Sequence, residues 1–157
     1  MMTPNAKAFL DMIAHSEIGA PLLAVSDNGY NVIVGSTPSK PILFDSYANH
    51  PNKLVKLSAT LSSTAAGRYQ LLARYYEAYK SAMHLPDFSP QSQDQIALRQ
   101  IAECKAFEDI NLGNFESAVN KCSRIWASLP GAKYGQHVNN MTDLKKVYLA
   151  SGGALIQ

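Results

Sequence analysis

Only two of the 157 residues are cysteine, one is tryptophan, and charged side chains make up 17% of the chain. Cys104 and Cys122 are too few and too isolated for a disulfide framework or a structural metal site, so two reduced thiols packed among helices are expected. The four histidines (His15, His50, His84 and His137) show no paired spacing such as His-Glu-x-x-His, which disfavours a metalloenzyme. No metal and no other cofactor is expected. No apolar run approaches the roughly 20 residues of a membrane-spanning helix, so membrane insertion is not expected either. The opening Met1-Met2-Thr3-Pro4-Asn5-Ala6-Lys7 leads into an amphipathic pattern carrying Asp11, not a wholly apolar segment. It does not read as a secretory leader, and folding in a cytosol is expected. The net charge of +2 is compatible with an anionic polymer as partner, but too mild to point to nucleic acid.

What is present is an ordinary globular composition, 46% apolar, in a chain long enough for one sizeable core. A single domain over residues 1–157 is expected. Asn5 to Ser16 reads as a helix capped by Asn5, with Phe9, Met12, Ile13 and Ser16 on one face. Ile18, Gly19 and Pro21 stop it, and Ala20 to Val25 reads as an apolar loop. After the turn Asp27-Asn28-Gly29 the period becomes two, with Tyr30, Val32 and Val34 alternating. Ile42-Leu43-Phe44 and Leu54-Val55-Lys56-Leu57 are further strand candidates. From Gly67 onward the pattern is helical again, with a stripe of Leu71, Leu72, Tyr75, Tyr76 and Tyr79. Ser89-Pro90 starts another helix, Asn114 to Leu129 supplies one or two more, and Thr142 caps the last. The fold class is α+β, mainly helical, with a small antiparallel sheet beside a cleft.

Glu17 is the residue with the most chemistry in its position. It ends the first helix, where the macrodipole favours cations, and partial burial there raises a carboxyl pKa enough to make a general acid. The alternative is an exposed surface glutamate. Asp27, in a turn, and Asp45, near a strand end, read as solvated or capping residues.

Five stretches resemble the bacteriophage lambda lysozyme family, in family order and near family spacing. They are Lys7 to Glu17, Gly29 to Gly35, Ser63 to Leu72, Asp87 to Asp94, and Cys122 to Gly131. The resemblance implies a lysozyme-like fold and an endolysin acting on peptidoglycan glycan strands. It also implies lytic transglycosylase chemistry: cleavage of the β-1,4 bond between N-acetylmuramic acid and N-acetylglucosamine, leaving a 1,6-anhydro-muramic end. The family's catalytic glutamate falls in its Ser-Glu motif, here Ser16-Glu17. The resemblance further implies a monomer that meets its substrate outside the inner membrane, after a holin-type partner opens that membrane.

Candidate substrate-binding residues follow from the same stretches and their neighbours. Gln70 is similar to a cleft-lining glutamine of lytic transglycosylases, while Arg68 is divided between substrate and local structure. Tyr30, Tyr134 and Gln136 complete the set, the last two in a glycine-broken loop of the kind that contacts saccharides. Trp126 reads as core. The sequence departs from the family's Ser-Glu-Gly-Thr at Ile18, and Asn31 stands where the family often has aspartate. The apolar segment after Glu17 implies drier surroundings and a higher pKa. A lone acid fits a transglycosylase; the alternatives are a hydrolytic muramidase and a non-catalytic wall-binding module with the same fold.

Overall fold

The computed structural model describes residues 2–131 and 138–157. In chain order the elements are α1 (Pro4–Glu17), α2 (Ala20–Ala24), β1 (Val55–Lys56), β2 (Ser62–Ser63), α3 (Ala73–Met83), α4 (Pro90–Glu103), α5 (Phe107–Leu112), α6 (Phe115–Cys122) and α7 (Met141–Ala150). Contacts divide the chain into two compact units: Met1–Glu17 with Ala97–Gln157, and Ile18–Ile96. Glu17 is therefore the last residue of the first segment of the first unit, and the chain crosses again within α4.

In the first unit α1 is buried on most of its circumference, through Ala6, Ala8, Phe9, Leu10, Met12, Ile13, Ala14 and Ser16. It packs on α5 and α7. Phe9 meets Phe115 edge-on at 6.0 Å, and Phe115 meets Tyr148 at 4.8 Å, so one aromatic train joins α1, α6 and α7. The cap of α1 is Thr3, not Asn5: the Thr3 hydroxyl accepts the Ala6 N–H at 3.1 Å, and Pro4 takes the first helical position. Asn5 instead ties helix to tail, donating to the Ile110 carbonyl and accepting from the Ala154 N–H, both at 2.9 Å. α7 is likewise capped by Asn140, whose side chain accepts from Thr142 and Asp143, and not by Thr142. Asn114 to Leu129 yields a single helix, α6, followed by turns in which Trp126 and Leu129 are buried as core. Cys104 and Cys122 are buried free thiols.

The second unit holds the sheet, which is smaller than the alternating pattern implies. β1 pairs with β2 in antiparallel register, Val55 opposite Ser63 and Lys56 opposite Ser62. Tyr30 to Val34 and Ile42 to Phe44 form no strand; single bridges join Val32 to Leu43 and Ile33 to Ala66. The reason is local. Gly29 and Gly35 sit at φ 85° and 86° on either side, and the Ser36 N–H turns back to the Ile33 carbonyl, so the extended stretch is too short for a ladder. Ala20 to Ala24 is a short helix, not a loop, with Pro21 in its first turn. Gly67 to Gln70 is a tight turn and not a helix start. Ala66 and Leu71 bond each other in both directions around it, Gln70 is at φ 51°, and helix begins only at Ala73. Of the tyrosine stripe, Tyr76 is buried with Phe88, Leu71, Leu85 and Ile96, Tyr79 packs against that cluster, and Tyr75 is exposed. Ser89 caps α4 as its motif implies, its hydroxyl accepting the Ser92 N–H at 3.3 Å.

Candidate active site

Glu17 closes α1, a helix of 14 residues whose last turn carries no compensating cation beyond His15. Residues Met12, Ile13 and Ala14 anchor that turn in the core of the first unit, so the carboxyl is carried on a rigid element. Burial raises the pKa of Glu17 above the ordinary carboxylate range. A weaker opposing effect comes from Ser128, whose hydroxyl and backbone N–H both bond the carboxylate. The Ser128 hydroxyl donates to Glu17 Oε2.

Behind that bond lies a short polar chain. The Ser128 and Ser16 hydroxyl oxygens are 2.8 Å apart. The Asn139 side-chain amide donates to the Ser16 carbonyl and to the Ser16 hydroxyl, both at 3.0 Å. The Asn139 backbone N–H donates to the Ser128 carbonyl at 2.8 Å. Ser128 is held between buried Trp126 and Leu129, and Asn139 by its place directly before the Asn140 cap of α7. Sequence reasoning did not single out Ser128 or Asn139; Ser128 lies inside a quoted stretch, but no spacing marks a serine 111 residues away as a partner.

The remaining candidates lie in the second unit or outside the described residues. Arg68 is buried, its Nε donating to the Asn28 carbonyl and its Nη1 to the Tyr69 hydroxyl, both at 3.0 Å. Its guanidinium also lies over the Tyr30 ring at 5.3 Å and the Tyr69 ring at 5.6 Å. Of its two sequence alternatives, local structure is what these contacts serve. Tyr30 donates to Asp94 Oδ1 at 2.9 Å, an oxygen that also takes the Tyr69 hydroxyl at 2.6 Å. Burial, then the Asp94 charge, push the Tyr30 hydroxyl up to about 12, so it stays a donor. Gln70 turns its amide inward, donating to the Gly67 carbonyl at 2.8 Å and the Val32 carbonyl at 3.4 Å. Gln93 completes this network, accepting the Arg68 N–H at 2.9 Å and donating to Tyr30 and Phe88 carbonyls at 3.0 Å. Tyr134 and Gln136 lie outside the described residues. Asp27 is exposed and takes the Tyr47 hydroxyl at 2.5 Å, while Asp45 is exposed. Among the described residues no three His, Cys, Asp or Glu side chains gather as metal ligands do, and no helix is long and apolar enough to cross a membrane.

A protonatable carboxyl at a helix end, on a mainly helical chain with one small antiparallel sheet, is a lysozyme-like arrangement. The fold agrees: the structure superposes on bacteriophage lambda lysozyme complexed with a chitohexasaccharide at a TM-score of 0.90 and 44% identity, covering 99% of this chain and 98% of that one. A second structure of lambda lysozyme gives 0.83 over the same coverage. The endolysin of Escherichia phage lambda is 47% identical over 150 residues, 95% of this chain and 92% of its own length. That of Escherichia phage P2 is 42% identical over 154 residues, 95% of this chain and 93% of its own. The Endolysin family model matches residues 7–155. The chain belongs to the Endolysin family, phage enzymes of lysozyme-like fold that degrade peptidoglycan.

Proposed function

We propose that this endolysin is a lytic transglycosylase, with Glu17 as the only carboxyl the reaction uses. The observation that carries this reading is the Glu17 carboxyl itself, raised in pKa by burial and held on the Ser128 hydroxyl. Protonated Glu17 gives its proton to the glycosidic oxygen between N-acetylmuramic acid and N-acetylglucosamine. The bond to the anomeric carbon breaks, and the N-acetylglucosamine side leaves with a free 4-hydroxyl. The muramoyl 6-hydroxyl then closes on the oxocarbenium-like anomeric carbon and returns its proton to Glu17, which restores the acid. The nucleophile is already part of the substrate, so neither a positioned water nor a second carboxylate is required. Asp27 and Asp45, the acids that follow Glu17 most closely, are exposed, and Asp27 is engaged by Tyr47, which supports a one-carboxylate mechanism.

Substrate contacts are assigned to Tyr134 and Gln136 by the family resemblance. Tyr30, Arg68 and Gln70 supply the turn framework, and of these the half-buried Tyr30 and Gln70 keep surface to offer a sugar. The complex of lambda lysozyme with a chitohexasaccharide supports a β-1,4-linked glycan as ligand here too. The enzyme acts as a monomer on the wall, after synthesis in the host cytoplasm and holin-dependent release. The test is the mass of muropeptides released from purified sacculi. Transglycosylation leaves muramoyl ends one water lighter than hydrolysis does, and ordinary reducing ends establish a muramidase instead. Loss of turnover in folded Glu17→Gln completes the test; a clearing suspension with that variant removes Glu17 from the reaction.

A further inference from the structure

The chain Asn139–Ser16–Ser128–Glu17 has a direction, and the direction follows from which groups are able to donate. The Asn139 Nδ2 has no lone pair to offer, and its bond to the Ser16 carbonyl fixes which end of the amide faces Ser16. The Ser16 hydroxyl oxygen accepts from that amide, which leaves the Ser16 proton for the Ser128 oxygen 2.8 Å away. The Ser128 proton then points to Glu17 Oε2. Every proton in the chain faces the carboxyl.

We infer that Ser128 is a positioning residue that keeps Glu17 Oε2 an acceptor throughout turnover, so that the catalytic proton is carried, given and recovered by Oε1 alone. This rests on Glu17 being the acid of the proposed reaction. A proton on Oε2 meets the Ser128 proton head-on unless the chain reverses. Reversal makes the Ser16 oxygen accept from both Ser128 and Asn139 and strips the Ser16 proton of its partner in the chain. A proton on Oε1 leaves the Ser128–Oε2, Ser16–Ser128 and Asn139–Ser16 bonds as they stand. The same hydroxyl also works against the burial of Glu17, stabilising the carboxylate that must form when the glycosidic bond breaks.

Among the described residues no charged neighbour shifts this carboxyl, on which burial and Ser128 act in opposite directions. His15 on its own last turn adds none. Of the charged residues on the helices packed against α1, Asp109 pairs with Lys121 at 2.6 Å and Lys145 with Glu116, while Glu108, Asp143 and Lys146 add none.

The experiment compares Ser128→Ala, Ser128→Cys and Ser128→Thr with the parent on purified glycan strands, as kcat and KM against pH. Without the hydroxyl the carboxylate is less favoured, so the limb where activity falls with rising pH moves up, by about one pH unit for one hydrogen bond. The kcat drops about tenfold or more because the carboxyl loses its fixed orientation, while KM stays within about twofold. Threonine, which keeps the hydroxyl, restores both the limb and the rate. Cysteine, near-isosteric with a weak donor, moves in the direction of alanine and serves in its place if alanine does not fold. An unmoved limb in folded Ser128→Ala or Ser128→Cys overturns the inference, as does a folded Ser128→Thr as impaired as cysteine. Glu17→Gln run alongside separates the two claims: if it retains turnover, the acid assignment falls, whereas an inactive Glu17→Gln with a parent-like Ser128→Ala sinks the positioning role alone.

Discussion

Arg68→Ala decides between the two roles that the sequence left open for this residue. In the structure its guanidinium donates to the Asn28 carbonyl and the Tyr69 hydroxyl and lies over the Tyr30 and Tyr69 rings. Hydrogen bonds from a charged donor are worth about 1.5–3 kcal/mol each, and a partly desolvated cation over a ring adds about 1. The side chain is only 5% exposed, so its stem also leaves a void. Against these stands the relief of removing a buried charge, which takes back part of the sum. A net loss of about 3 kcal/mol follows, or a fall in Tm of about 6–12 °C for a chain of this length. The assay is thermal and urea unfolding of the variant, with KM on glycan measured well below its Tm. KM within about twofold of the parent is expected. A tenfold rise in KM with an unchanged Tm refutes the structural assignment and returns Arg68 to the substrate.

Three further outcomes are expected. Glu17→Gln is more thermostable than the parent at neutral pH: a carboxyl whose pKa is raised on folding stabilises below its unfolded value and loses that contribution as pH rises through its folded one. The Tm difference between the two therefore shrinks toward pH 4, and a constant difference contradicts the burial argument. His50 is buried, with Nε2 bonded to the Leu71 carbonyl at 2.8 Å and Nδ1 accepting the Asn52 N–H at 2.9 Å, so it is neutral and its pKa is lowered, first by burial. Stability is lost as pH falls below the ordinary imidazole value of about 6.5. His50→Phe flattens that slope between pH 7 and 5 in urea unfolding, although it costs stability throughout. Gly67→Ala is destabilised by about 2–3 kcal/mol in the same measurement, because the residue sits at φ 88° and a Cβ there lies 2.4 Å from Gln93 Oε1.

The sequence was most informative where the signal is local and chemical. The buried face of α1, the Ser89-Pro90 start of α4 and the core role of Trp126 follow from periodicity and capping alone. Capping failed where two eligible residues stood close together: Thr3 and Asn5 are both good caps, and packing of Asn5 against Ile110 and Ala154 decides between them. Alternation failed between Tyr30 and Val34 because period two reports which face is buried, not whether a neighbouring segment runs alongside. Gly67 to Gln70 failed for a related reason, since reciprocal bonding of Ala66 and Leu71 turns a helix-compatible string into a hairpin. Glu17 was legible through its helix end and its resemblance, whereas Ser128 and Asn139 reach it only by tertiary packing.

That division explains why the acid and its support respond oppositely to perturbation. Burial and the end of a helix both disfavour the Glu17 carboxylate, and an acid placed by these alone holds its proton too firmly to release it. Ser128 supplies the counterweight, and burial remains the larger of the two influences, so the pKa stays raised while the carboxylate keeps a hydrogen-bond donor. Opening the surroundings of Glu17 to water lowers its pKa and empties the acid; removing Ser128 raises it and traps the proton. Both changes reduce turnover, but they move the falling limb of the pH profile in opposite directions, and a shared direction is incompatible with a carboxyl tuned by these two forces.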